Sequence, residues 1–92
     1  YGARTKRLGR LLIRSPAMAA LVQHPDVLAL AHQILDPWCD CLQLNLTQAT
    51  EIHPGALAQF PHRDQDMWRG GIGEVEYLLN VIWPLTPFTH QN

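Results

Sequence analysis

Residues 41–64 read CLQLNLTQATEIHPGALAQFPHRD, and this stretch decides the predicted fold class. Leucines alternate with polar residues over positions 42–47, which is the period-two pattern of a strand. The pair Pro54-Gly55 then predicts a turn. The segment ALAQFPHRD after it predicts a second strand, antiparallel to the first across that turn. Pro61 favours an edge position or a bulge there, because proline has no N–H to donate to a sheet.

The sequence before this stretch predicts a helical region over residues 1–36. TKRLGRLLIR spaces its leucines as on one helix face. Pro16 predicts the first turn of a second helix, and Pro25 that of a third. Asp26 complements the dipole of the third helix, which is predicted to end at Asp36 because a proline follows.

The sequence after the stretch predicts one more strand. DQDMWRGGIG (64–73) is typical of a glycine-rich loop with Gly70, Gly71 and Gly73. VEYLLNVIWPL (75–85) is almost entirely apolar and predicts a strand buried on both faces. Helices followed by strands, without βαβ alternation, indicate an α+β fold or a helix-decorated β-sandwich.

Residues 1–92 are interpreted as a single partial domain, with a helical region at 1–36 and the first strands at 37–92. Three strands leave unpaired sheet edges. Further strands are therefore expected downstream, and the chain is interpreted as part of a longer protein.

Composition excludes several classes of protein. The 92 residues are 47% apolar and 16% charged, as in a globular chain, and the net charge of −1 predicts no nucleic-acid partner. No apolar run approaches the roughly 18 residues of a membrane span. Cys39 and Cys41 are too few for a structural zinc site, so reduced thiols and a cytoplasmic location are predicted.

The basic residues are unevenly placed. Five of the seven lie in the first fourteen positions. We interpret that segment as a solvated helix face, and a basic arm or transit peptide stays open as the alternative.

His62-Arg63-Asp64 is the candidate for chemistry. On a strand, residues i and i+2 share a face at roughly 6–7 Å between Cα atoms. His62 and Asp64 could therefore bind one metal ion while Arg63 points away, towards a salt bridge or an anionic substrate. A histidine and an aspartate supply two ligands of a 2-His-1-carboxylate facial triad on Fe(II). The remaining histidines are interpreted as helix caps or surface residues: His24, His32, His53 and His90.

The ordered set HPGALAQFPHRDQDMW (53–68) and EVEYLLNVIWPLTPFTHQN (74–92) resembles the phytanoyl-CoA dioxygenase family of Fe(II)/2-oxoglutarate oxygenases. SPAMAALVQHPDVLALAHQIL (15–35) also resembles the N-terminal half of that family. The resemblance implies a double-stranded β-helix, or jelly roll, of which this chain carries the first strands. It also implies Fe(II) as cofactor, 2-oxoglutarate as cosubstrate, O2, and a small organic substrate that is hydroxylated.

The resemblance assigns roles to individual residues. His62 and Asp64 match the family's H-x-D metal ligands, and Trp68 matches an aromatic wall of the pocket. Asn80 matches a polar position that faces 2-oxoglutarate, with a buried amide bonded to the backbone as the alternative. Gln48 and Gln59 are further candidates for polar contacts in the pocket.

The family pattern also requires a distal histidine ligand and an arginine that binds the 2-oxoglutarate carboxylate. Both are expected beyond Asn92, so the chain by itself is expected to bind iron weakly and not to turn over. Two other functions remain open: a non-catalytic β-sandwich binding module in which H-x-D is incidental, and a zinc-dependent hydrolase. Oligomeric state and the identity of the substrate do not follow from the sequence.

Overall fold

A computed structural model describes residues 2–68 and 74–91. The elements follow in the order β1 (Thr5–Gly9), α1 (Leu11–Arg14), α2 (Ala17–Val22), α3 (Pro25–Leu35) and β2 (Gln48–Ile52). A 3-10 turn at Asp36–Trp38 follows α3, and a second one spans Asp64–Met67. Helices together with an antiparallel sheet give the α+β class that the sequence predicts.

The first element differs from the prediction. Residues 5–9 form β1, which pairs antiparallel with β2 from Thr5 opposite Ile52 to Gly9 opposite Gln48. The helical prediction for this segment was wrong, because its leucine spacing fits a short strand followed by a turn of helix equally well. Arg10 separates the two elements with a φ of 57°. This left-handed backbone turns the chain from β1 into α1.

The helices form for the local reasons that the sequence indicates. The chain enters α3 through His24, whose ring Nδ1 accepts from the Asp26 N–H at 3.3 Å, and Pro25 occupies the first turn. The helix ends at Asp36, whose carboxylate contacts His32 Nδ1 at 2.9 Å. His24 therefore caps α3 and His32 lies exposed on its surface, as predicted.

The two strands of the sheet bring together the two ends of the helical segment at residues 10–47. Leu11 N–H donates to Thr47 Oγ1 at 3.0 Å, across 36 positions of sequence. Arg4 Nη1 donates to the Pro54 carbonyl at 2.8 Å, and the His53 N–H donates to the Arg4 carbonyl at 2.9 Å. Residues 10–47 thus leave the β1–β2 pair and return to it at nearly the same point.

Three strand predictions need correction. The alternating stretch at 41–52 is a strand only at Gln48–Ile52, and its partner is β1 instead of the segment after the turn. Neither 56–64 nor 75–85 is assigned as strand, and Ile82 is 75% exposed rather than buried. The described residues thus contain a two-stranded sheet. Gly70, Gly71 and Gly73 of the predicted loop lie outside the described residues.

Apolar side chains are half-buried at best among the described residues. Gln65, at 7% exposure, is the buried side chain there. The stripe of α3 is half-covered at Val27, Ala31 and Ile34, which follow each other at helical spacing. Gln65 follows Asp64 directly in sequence, so this buried position lies beside the H-x-D motif.

In the part of the chain that the structure describes, no helix is long and apolar enough to cross a membrane.

Candidate functional site

The Pro54-Gly55 turn starts the segment that carries His62 and Asp64. Gly55 adopts a φ of 78°, a left-handed conformation that glycine reaches without steric penalty. The chain then runs without regular structure to Arg63, and Asp64 opens the 3-10 turn. His62 Nε2 lies 3.1 Å from Asp64 Oδ1, and about half of each side chain is open to solvent. The structure therefore brings the two predicted ligands together.

A backbone contact fixes which nitrogen of His62 is free. Nδ1 lies 2.7 Å from the Phe60 carbonyl oxygen. A carbonyl only accepts, so Nδ1 carries the hydrogen and donates it. In a neutral ring the lone pair then belongs to Nε2, the atom that faces Asp64. Hydrogen bonding of one ring nitrogen to the backbone is the usual way in which proteins orient a metal-binding histidine.

The spacing of the two ligand atoms fits a metal ion. Nitrogen and oxygen ligands bind divalent first-row metals at about 2.1 Å. Two such ligands at adjacent corners of an octahedron are therefore about 3.0 Å apart, close to the 3.1 Å between His62 Nε2 and Asp64 Oδ1. Nitrogen and carboxylate donors with open positions are the ligand set of non-haem Fe(II) sites.

The second oxygen of Asp64 is also occupied. Asn80 Nδ2 donates a hydrogen bond to Asp64 Oδ2. A hollow of about 210 Å³ lies at this contact, and its lining includes Glu76, Leu78 and Asn80. These alternate residues share one side of their segment, which is the period-two pattern of an extended chain. The segment is extended at these positions, although no sheet pairing is assigned to it.

Arg63 and Gln65 connect the motif to the same segment. Arg63 Nη2 lies 3.8 Å from Glu76 Oε1, which confirms the salt bridge suggested from the sequence. The Gln65 amide lies between them. In the orientation that satisfies both neighbours, its oxygen accepts from Arg63 and its nitrogen donates to Glu76 Oε2 at 3.0 Å. Gln65 and Glu76 were not predicted as site residues, although Glu76 and Asn80 are the two polar side chains in residues 75–83.

The other predicted pocket residues are divided. Gln59 lines an open hollow of about 510 Å³ together with His62 and Phe60. Gln48 lies on β2, where its amide donates to Thr50 Oγ1 at 3.2 Å. Trp68 ends the 3-10 turn, with its N–H donating to the Gln65 carbonyl at 2.9 Å, and it is 51% exposed. Asn80 thus lines the hollow at Asp64 and Gln59 lines the hollow at His62, whereas Gln48 and Trp68 line neither of these two hollows.

A third protein ligand is not supplied by the residues at 2–68 and 74–91. No group of three His, Cys, Asp or Glu side chains there could hold a metal ion. His53 lies 3.3 Å from Glu51 instead, and His24 packs its ring on Trp83 with 5.5 Å between centroids. Cys39 and Cys41 are free and exposed.

Comparison with known proteins identifies related enzymes. Residues 2–92 match the family model described as phytanoyl-CoA dioxygenase. Dioxygenase FrzG of Cladobotryum sp is 39% identical over 97 residues, which cover 99% of this chain and 32% of that protein. Multifunctional dioxygenase ausE of Penicillium brasilianum is 31% identical over 103 residues, which cover 97% of this chain and 32% of that protein. Dioxygenase aneA of Aspergillus aculeatus is 34% identical over 101 residues, which cover 99% of this chain and 32% of that protein.

The chain spans about a third of the length of these curated relatives. No solved structure matches it. The family match extends over nearly the whole chain and includes both residues of the H-x-D pair. This chain belongs to the phytanoyl-CoA dioxygenase family.

Proposed function

We propose that the complete protein is a non-haem, Fe(II)- and 2-oxoglutarate-dependent dioxygenase that hydroxylates a small organic substrate. His62 and Asp64 would be two of its metal ligands, and the fold around them a jelly roll to which these residues contribute the first part. The observation that carries the proposal is the 3.1 Å separation of His62 Nε2 and Asp64 Oδ1, with the opposite ring nitrogen 2.7 Å from the Phe60 carbonyl oxygen. The relatives support the oxygenase class, since each carries the name dioxygenase.

When bound, Fe(II) would supply the chemistry that couples O2 and 2-oxoglutarate to the oxidation of a C–H bond. The residues of this chain would hold the metal ion and orient its ligand atoms. The Phe60 carbonyl keeps the His62 ring in one orientation, so that Nε2 faces Asp64 Oδ1. A third metal ligand would have to come from outside the described residues. The arginine that the family resemblance implies for the 2-oxoglutarate carboxylate is expected in the rest of the protein.

The hollow beside His62 supports a role in binding small molecules. Gln59 and Phe60 line it together with His62, so an amide and an aromatic ring lie beside one of the two proposed metal ligands. Gln59 could donate to a carboxylate of 2-oxoglutarate or to the substrate, and Phe60 offers an apolar wall. Polar groups placed in an apolar hollow are typical of small-molecule sites. Trp68 and Gln48 remain predicted pocket residues in this proposal, with contacts that depend on the rest of the protein.

The experiment uses the complete protein. Succinate formation from 2-oxoglutarate should require Fe(II) and should be lost in His62→Ala and in Asp64→Ala. His32→Ala is the matched control, because His32 is an exposed histidine on α3 whose ring pairs with its helix neighbour Asp36. Wild-type turnover in His62→Ala would refute the ligand assignment. A complete protein that binds its small molecule but shows no iron-dependent succinate formation would favour the binding module.

A further inference from the structure

We propose that Asn80 is a positioning residue that commits the Asp64 carboxylate to binding metal through one oxygen, Oδ1. The inference rests on the proposed function, because it concerns how the same site would hold its ion. It departs from the role that the sequence predicts for Asn80, a direct contact with 2-oxoglutarate.

The two oxygens of Asp64 have different partners. Oδ1 lies 3.1 Å from His62 Nε2, on the side where the two ligand atoms meet. Oδ2 accepts a hydrogen bond from Asn80 Nδ2, sixteen positions further along the chain. An amide NH2 only donates, so it fits an ionised carboxylate oxygen. The carboxylate is thereby held with one defined oxygen beside the histidine.

A second contact supports the position of Asn80. Glu76 lies on the same side of the segment and reaches Arg63 at 3.8 Å, while the buried Gln65 amide bridges the two. Arg63 and Gln65 flank Asp64 directly in sequence. Residues 76–80 are consequently attached to the H-x-D motif at two places, so the Asn80 amide is presented to Asp64 by contacts that do not involve Asp64 itself.

Binding through one oxygen matters for the number of free positions on the ion. Carboxylates bind metals with one oxygen or with both. A facial triad of three protein atoms leaves three positions for the molecules that react. If Asp64 bound through both oxygens, one of these positions would be lost. A hydrogen bond from Asn80 uses one lone pair of Oδ2 and holds that oxygen towards the amide, which favours binding of the metal through Oδ1 alone.

The positioning role and the direct-contact role predict different measurements. If Asn80 orients Asp64, its loss weakens metal binding even when no 2-oxoglutarate is present. If Asn80 instead only contacts 2-oxoglutarate, metal affinity without the cosubstrate is unchanged and only cosubstrate affinity falls. Titration of the metal alone therefore separates the two.

The test is calorimetric titration of the metal-free complete protein with Mn(II), without 2-oxoglutarate. The variant is Asn80→Leu, because leucine has nearly the size of asparagine and lacks the amide. Loss of a residue that orients a metal ligand typically weakens metal binding about 10–100-fold. We expect the Mn(II) dissociation constant of Asn80→Leu to rise by about that factor. Asn45→Leu, at an exposed asparagine in the segment before β2, is the matched control and should keep the wild-type value.

A second variant guards against misfolding. Asn80→Ser keeps a donor on a shorter side chain, and far-UV circular dichroism reports whether each variant is folded. Asn80→Ser should bind Mn(II) more weakly than wild type and more tightly than Asn80→Leu. A wild-type dissociation constant in a folded variant, with weaker 2-oxoglutarate binding, overturns the positioning role and leaves the proposed function intact. Equal Mn(II) affinity in wild type and His62→Ala would instead refute the proposed metal site, and with it the proposed function.

Discussion

The turn at Gly55 offers the sharpest test of the fold around the site. Its φ of 78° is a conformation that residues with a Cβ rarely adopt, and a Cβ built there would lie 3.1 Å from Arg4 Nη1. Gly55→Ala should therefore destabilise the protein through two separate effects, one in the backbone and one in the contact with Arg4.

The magnitude follows from three contributions. Left-handed backbone costs a residue with a Cβ about 1–2 kcal/mol. Alanine restricts the unfolded chain more than glycine does, which offsets about 0.4–1 kcal/mol. The Arg4 guanidinium must move by a few tenths of an ångström, which weakens its 2.8 Å bond to the Pro54 carbonyl, and an ordinary hydrogen bond contributes about 1 kcal/mol. The free energy of unfolding should thus fall by about 1–2 kcal/mol.

Urea unfolding of four proteins measures both effects: wild type, Gly55→Ala, Arg4→Ala and the double variant. The Gly55→Ala cost should be smaller when Arg4 is absent, because only the backbone effect then remains. Gly9→Ala is the control, since a Cβ at Gly9 meets nothing within 4 Å and its φ is not left-handed. A Gly55→Ala cost no larger than that of Gly9→Ala would refute the turn geometry. An equal cost with and without Arg4 would refute the contact.

Three further predictions concern other contacts of the described structure. Gln65→Leu should lower the free energy of unfolding by about 1–3 kcal/mol, because Arg63 and Glu76 lose a buried partner; urea unfolding against the exposed control Gln33→Leu measures this, and equal effects would contradict the bridge. His24→Ala should destabilise α3 by about 1 kcal/mol through loss of its cap, whereas His24→Asn should retain most of that stability; thermal unfolding that ranks the two variants equally would assign the loss to the Trp83 contact. Lys6→Ala should change stability by less than about 0.5 kcal/mol, because its pair with Glu51 at 3.7 Å is largely exposed, and a larger change in the same assay would contradict this.

The sequence predicted best where the determinants are local. Pro25 and Asp26 lie within the first turn of α3, and the proline after Asp36 follows its end, so a few neighbouring residues settle that helix. The Pro54-Gly55 turn is equally local, because glycine accepts a φ that other residues avoid.

Pairing over long sequence distances was not predictable in the same way. β1 exists because residues 48–52 lie beside it, and nothing within residues 5–9 specifies that partner. The spacing of Leu8, Leu11 and Leu12 fits one continuous helix as well as a strand followed by a turn of helix, so the prediction depended on information outside the segment.

The candidate site was predicted in part for the same reason. The H-x-D spacing and the family resemblance named His62 and Asp64, which the structure brings to 3.1 Å. Gln65 and Glu76 were missed because their contact depends on how residues 74–80 return to the motif. The family resemblance assigned Asn80 to a contact with 2-oxoglutarate, which stays a prediction, and in the structure its amide donates to Asp64.

The meeting of Leu11 and Thr47 has a consequence for how relatives of this chain can diverge in length. Since both ends of residues 10–47 start from the β1–β2 pair, helices inserted or deleted between them leave β2 in place. Loop closure becomes costlier only slowly, by about 0.6 kcal/mol for each doubling in length. Changes of length within residues 10–47 should therefore cost little at this closure, whereas a change of length between β2 and His62 would shift the proposed ligand relative to the sheet.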